Sequence, residues 1–201
     1  MTEPASGLYF EIEELAEALG SLTSRGMATV FGVCGRALAP LLKLVEQRSE
    51  GRWTVPDLAL ALDLTERFAT GSAEATDHNE LRARLMVTVP DEHPWSTYAQ
   101  DALICADAGL TAASLDNHPK PMLIHFALEP LIAWTQNRDV EFIRRYGDDN
   151  WSRKIVSDPA MAMALGFLHS SIGQLSQGAP VTLLKFNSLV SEAAVLRPVD
   201  L

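Results

Sequence analysis

From about Glu11 to Leu196, apolar residues recur at three- and four-residue steps, and nothing alternates with a period of two over a useful length. A helix gathers side chains at that spacing onto one stripe, whereas a strand turns every second residue inward. No rhythm of strand, helix and strand is present, and no repeat or low-complexity linker divides the chain. The spacing therefore predicts an all-α fold, a single multi-helix bundle of about seven to nine helices. Short connections make neighbouring helices mostly antiparallel. Residues 1–7 are expected to be a flexible tail and residues 8–201 one helical domain.

Stripes and punctuation place the helices. Residues 8–20 turn Phe10, Ile12, Leu15 and Leu19 inward and Glu11, Glu13, Glu14 and Glu17 largely outward, with the acids early, where the macrodipole favours them. Residues 23–48 carry Phe31, Cys34, Leu38, Leu41, Leu42 and Val45 on one face, with Pro40 expected to kink or split the helix and Gly51 to follow its end. Thr54 is read as the cap of a third helix that buries Leu58, Leu62, Thr65 and Phe68. Asp77 and Glu80 have the spacing of a capping box. Val87-Thr88-Val89 is too short for a sheet.

Trp95, Ala99, Ala102, Leu103, Ala106 and Leu110 share a face whose alanines would let another helix approach closely. Leu123, Ala127, Leu131 and Trp134 follow, with a kink expected at Pro130, and then a shorter element near 137–146. Asp158-Pro159 starts a helix with Met161, Leu165, Leu168, Ile172 and Leu175 as its seam. The last helix, near 181–195, turns Leu183, Phe186, Val190 and Ala193 inward.

A chain of 201 residues buries roughly 70% of its unfolded surface and needs no disulfide or metal for a core. Cys34 and Cys105 stand on apolar faces, far apart and without zinc-like spacing, which reads as two buried thiols in a reducing cytoplasm. The N-terminal residues show neither the basic nor the apolar segment of a signal peptide, and no apolar run is expected to span a bilayer. The net charge of −10 repels nucleic acid and anionic membranes on average, and attracts a basic protein.

The order Leu22, Phe31, Cys34-Gly-Arg36, Pro40-Leu41, a Gly51 loop and then Leu58 to Asp63-Leu64 resembles the bacterial helical family typified by the YjaG proteins, over residues 19–64. The resemblance implies an all-helical fold and no defined chemistry. Through related helical families it points to immunity proteins of toxin systems, which bind rather than catalyse. Read from the residues alone, Arg36 lies off the Phe31–Leu41 stripe and suits a structural ion pair, with Asp63 facing solvent or pairing with it.

His118, His125 and Glu129 are the candidate metal ligands. On a continuous helix, His125 and Glu129 would share a face. Three ligands are the minimum, the paired Glu-x-x-His motifs of diiron bundles are missing, and a His–Glu hydrogen bond is the favoured reading of the pair. His169, among leucines, reads as a partly buried histidine. Arg144-Arg145-Tyr146 with Trp151, Arg153 and Lys154 is the one basic–aromatic cluster, and Asp148 and Asp149 within it favour a local ion-pair network over nucleic acid. No nucleophile elbow or phosphate-binding glycine loop is present.

The expected function is thus a non-catalytic protein-binding domain, most concretely a toxin-neutralising immunity protein acting on a basic partner, with no cofactor and no catalytic residue assigned. Its expected contact residues are Glu13, Glu14 and Glu17 in one acidic cluster and Asp91, Glu92 and Trp95 in another, to which Asp101 and Asp107 would add charge. Aromatic anchors rimmed by charge suit such interfaces, and a buried Trp95 is the competing reading. The alternatives are a small-molecule or metal-dependent helical enzyme centred on His118, His125 and Glu129, and a homo-oligomer.

Overall fold

The structure, a computed structural model, describes residues 7–51, 53–86, 96–115, 117–138 and 151–198. The helices among them are α1 (Leu8–Gly20), α2 (Ser24–Arg48), α3 (Leu58–Ala69), α4 (Asn79–Leu85), α5 (Ser96–Ala112), α6 (Glu129–Arg138), α7 (Pro159–Leu175) and α8 (Leu183–Glu192). Two 3-10 segments, Pro121–Ala127 and Ala193–Leu196, complete the order, and residues 151–156 are helical. No strand occurs among the described residues; Thr76 and Ser114 form an isolated bridge. The fold is all-α, as the spacing predicts. Val87-Thr88-Val89 and most of the element expected near 137–146 lie outside the described residues.

α2 is the axis of the core, and its most extensive partner is α5. Small residues bring the two backbones together. A Cβ on Gly35 would come within 3.2 Å of the Ala106 Cα, and one on Gly109 within 3.2 Å of the Gly32 amide nitrogen. Around that contact Phe31, Leu38, Leu103 and Leu110 are fully buried. Burying each such side chain contributes roughly 1.5–3 kcal/mol relative to leaving it exposed. α3 packs on both helices, and α8 and the Ala193–Leu196 segment reach α2 as well. The buried residues join in one cluster from Leu8 to Leu196. By length and composition alone, α2 is apolar enough to cross a membrane, which corrects the expectation that no segment is. Its glycines, alanines and valines raise its hydropathy, and 72% of its apolar window is buried within the protein.

Side-chain caps fix three of the helix starts. Thr23 accepts the Gly26 N–H, Asp158 the Ala160 N–H at 2.9 Å and Thr182 the Lys185 N–H. Such caps contribute typically about 1 kcal/mol each. Asp77 accepts the Asn79 N–H at 2.9 Å, but the cap position of α4 is His78, which makes no side-chain cap bond, so the expected capping box with Asp77 as cap is not formed. α3 begins at Leu58, so Thr54 is not its cap, and the cap residue Asp57 has no side-chain cap bond. Its carboxylate instead takes the Arg84 Nε–H at 2.7 Å.

The proline expectations change. Pro40 does not split α2, which runs on through it, with Leu38, Leu41 and Leu42 anchored in the core on either side of the missing N–H. Pro130 is the second residue of α6, where its absent N–H would have had no partner within the helix. Two inward assignments also change. Phe10 is 49% exposed, because it stands about 200° round the helix from Leu8, which heads the buried stripe with Ile12, Leu15 and Leu19. Leu183 is 52% exposed, since Phe186, Leu189 and Ala193 set the inward face at that end.

Candidate functional site

α1 is pinned at its start. The Leu8 N–H donates to Ser152 Oγ, and a Cβ on Gly7 would meet that oxygen at 2.7 Å, so a residue without a side chain suits the approach. Tyr9 meets the Trp151 ring edge-on, with centroids 6.1 Å apart. With Leu8, Ile12, Leu15 and Leu19 inward, the opposite face presents Tyr9, Phe10, Glu13, Glu14 and Glu17 to solvent. Phe10, Glu13, Glu14 and Glu17 follow three-, four- and seven-residue steps and form one stripe. The expected cluster of Glu13, Glu14 and Glu17 is therefore exposed and gains an aromatic neighbour in Phe10.

The second expected cluster fares differently. Asp91, Glu92 and Trp95 lie outside the described residues. Asp107 is held by Arg82 through two bonds, at 2.9 and 3.2 Å. Asp101 is buried, at 3% exposure, so it adds no surface charge. The signal was in the chain: Asp101 is four residues before Cys105, and α-helical spacing places both on one face.

His118, His125 and Glu129 do not converge as three ligands. Among the described residues, the group of three metal-type side chains whose ligand atoms all lie within 4.8 Å of one another is Glu11, Glu14 and His169. His118 Nδ1 is 3.5 Å from Ser24 Oγ, at the start of α2. His125 Nδ1 is turned to the Met122 carbonyl. The assumed continuous helix is broken, since His125 belongs to the 3-10 segment and Glu129 opens α6. His125 and Glu129 still sense one another, the imidazole opposing the upward push of burial on the Glu129 carboxyl.

Glu129 also acts on Asp101 through its charge. Burial, with the Glu129 charge adding to it, pushes Asp101 up to about 8, so its carboxyl is largely protonated at neutral pH. Asp101 Oδ2 has no hydrogen-bond partner among the described residues. Next to it, burial raises the Cys105 thiol, and across the helix contact Cys34 is pushed up to about 12. Both cysteines are free and buried, and thiols held protonated in this way are poor nucleophiles.

Arginines are absorbed into structure. Arg36 pairs with Glu66 at 2.7 Å, which supports the structural reading and names the partner, while Asp63 is exposed. A groove of about 430 Å³ opens among the end of α1, the start of α2 and the segment after α7. The cation on its wall, Arg25, donates to the Phe68 carbonyl, pairs with Glu74 and lies 5.0 Å over the Phe68 ring. Arg144, Arg145, Tyr146, Asp148 and Asp149 lie outside the described residues.

The meeting of His169 with Glu11 is the feature that the sequence reading missed. The two are 158 residues apart, and no local spacing connects them. Comparison of the chain with protein families, with curated proteins and with solved structures gives no match.

Proposed function

We propose that this chain is a non-catalytic protein-binding domain whose contact surface is the outward face of α1. One observation carries the reading: Phe10, Glu13, Glu14 and Glu17 form a single exposed stripe on a helix anchored beneath by four buried aliphatic side chains. An exposed aromatic rimmed by carboxylates offers a partner both an apolar anchor and a sign of charge. The net charge of −10 extends that sign over the molecule, so the fitting partner is basic. A toxin-neutralising immunity protein acting on a basic enzyme, such as a nuclease, is the most concrete form of this proposal. In the alternative, a small-molecule or metal-dependent enzyme centred on His118, His125 and Glu129, the metal-dependent form lacks the convergence that three ligands require.

The test is an association-rate measurement against proteins encoded beside this gene, at two salt concentrations. Replacing Glu13, Glu14 and Glu17 by lysine should slow association with the true partner, and added salt should slow the parent protein in the same direction. Exposed charges are screened over about 8–10 Å near physiological ionic strength. Association that ignores both salt and the reversals would overturn the electrostatic part of the proposal. Phe10→Ala should act mainly on dissociation; an unchanged off-rate would remove Phe10 as an anchor.

A further inference from the structure

We infer that Glu11, Glu14 and His169 form a site for a divalent first-row cation of the zinc class, joining α1 to α7. The inference shares Glu14 with the protein-binding proposal but does not rest on it, and its test contains no partner, so the failure of one does not decide the other.

The geometry comes from two helices. Glu11 and Glu14 are three residues apart on α1 and share a face. His169 comes from α7, which packs against α1. All three ligand atoms lie within 4.8 Å of one another. His169 Nε2 and Glu11 Oε2 are 3.3 Å apart. A tetrahedral zinc site with bonds of about 2.0–2.1 Å has neighbouring ligands about 3.3–3.5 Å apart. The His–Glu pair is thus already spaced as one edge of such a tetrahedron, and Glu14 is near enough to close the face by a side-chain rotation.

The backbones that carry these side chains are fixed. Ile12 and Leu15 are buried beside the two glutamates, as are Leu168 and Ile172 beside the histidine. Glu11 is 19% exposed and His169 39%, so the group is rooted in the surface and open on one side. The open side leaves room for water as the fourth ligand, the arrangement typical of zinc bound by three protein side chains. One imidazole and two carboxylates suit zinc, cobalt or manganese better than a thiolate-seeking metal, and the imidazole disfavours magnesium and calcium. Without metal, His169 Nε2–H donates to Glu11; binding replaces that shared proton by the cation.

The experiment is calorimetric titration of the metal-free, full-length protein with zinc sulfate, repeated with magnesium chloride. Cobalt titration followed by visible absorption reports the coordination. One saturable zinc site is expected, with weak or no magnesium binding and the absorption of tetrahedral cobalt. His169→Ala and Glu11→Gln should each weaken zinc by at least about tenfold, and exposed Glu14→Gln gives a third variant that leaves the helix contact untouched. Circular dichroism verifies that each variant is folded. His125→Ala and Asp63→Asn should leave the titration unchanged. Absence of saturable zinc binding would overturn the inference. So would zinc binding that survives all three ligand variants, or that is lost with His125→Ala instead.

Discussion

The α2–α5 contact and the outer edge of α1 use opposite chemistry on the same kind of element. At the first, Gly32, Gly35, Ala106 and Gly109 let two backbones nearly touch, and there is no room for another methyl group. At the second, a stripe of four aliphatic residues holds the helix down while five larger side chains stand in solvent. The contact between α2 and α5 therefore constrains every atom, whereas the edge constrains only one face of one helix. Binding chemistry can vary at the edge without cost to the fold, and that is where both of our proposals lie.

Phe31→Ala should give the largest effect and press hardest on this contrast. Phe31 is fully buried where α2 meets α5, and truncating such a phenylalanine costs roughly 3–5 kcal/mol. Denaturant titration measures it, and a loss under about 1 kcal/mol would mean that the contact tolerates voids. Leu165→Ala carries the contrast to α7, on the inner side of the edge. Leu165 is buried, and a loss of roughly 2–5 kcal/mol is expected; a smaller one would make α7 a loosely held strut.

Gly109→Ala tests the close approach itself. The new Cβ would lie 2.9 Å from Thr65 Cγ2 and 3.2 Å from the Gly32 nitrogen. Overpacking of this kind costs about 1–3 kcal/mol. A neutral or stabilising result would show that the helices can part freely.

Asp101 offers a prediction in pH. Its folded value of about 8 lies above the ordinary carboxyl value of 3.8. Between those values the folded state holds a proton that the unfolded chain has released, so stability should fall as pH rises through this window. Asp101→Asn should flatten that slope and raise stability near pH 8. Melting curves across the window that keep the parent slope in the variant would show that the buried carboxyl is not its source. The smallest effect belongs to the edge. Replacing Glu13, Glu14 or Glu17 singly by lysine should change folding stability by no more than about 0.5 kcal/mol, however much it slows association. A larger loss would make the acidic stripe part of the scaffold.

Local spacing set much of the architecture. Phe31, Leu38, Leu62, Leu103, Leu131, Leu165, Leu168 and Ile172 are all buried, as their stripes predict. Helix period and hydrophobic burial are enough to place such residues, because both act within a few turns of chain. Asp158-Pro159 starts a helix for an equally local reason: the side chain reaches an N–H two residues on. The alanines of α5 announced a close neighbour, though not which one.

Tertiary structure alone decided the rest. Whether Phe10 or Leu8 faces inward depended on which side of α1 meets the other helices, since an aromatic at a helix start satisfies either stripe. Asp101 followed its helix into the core despite its polar carboxyl, because the burial of Ala102 and Cys105 leaves that face no exit to water. The break between His125 and Glu129 depended on a 3-10 segment where the spacing suggested a continuous helix. Glu11 and His169 meet across 158 residues, and nothing in either neighbourhood encodes the other. The sequence by itself determined the helical class, most of the buried stripes and the net sign of the charge, because periodicity and charge are properties of short stretches. Which polar groups share a site was decided by the packing of α1 on α7, since that juxtaposition exists only once the whole apolar core has closed.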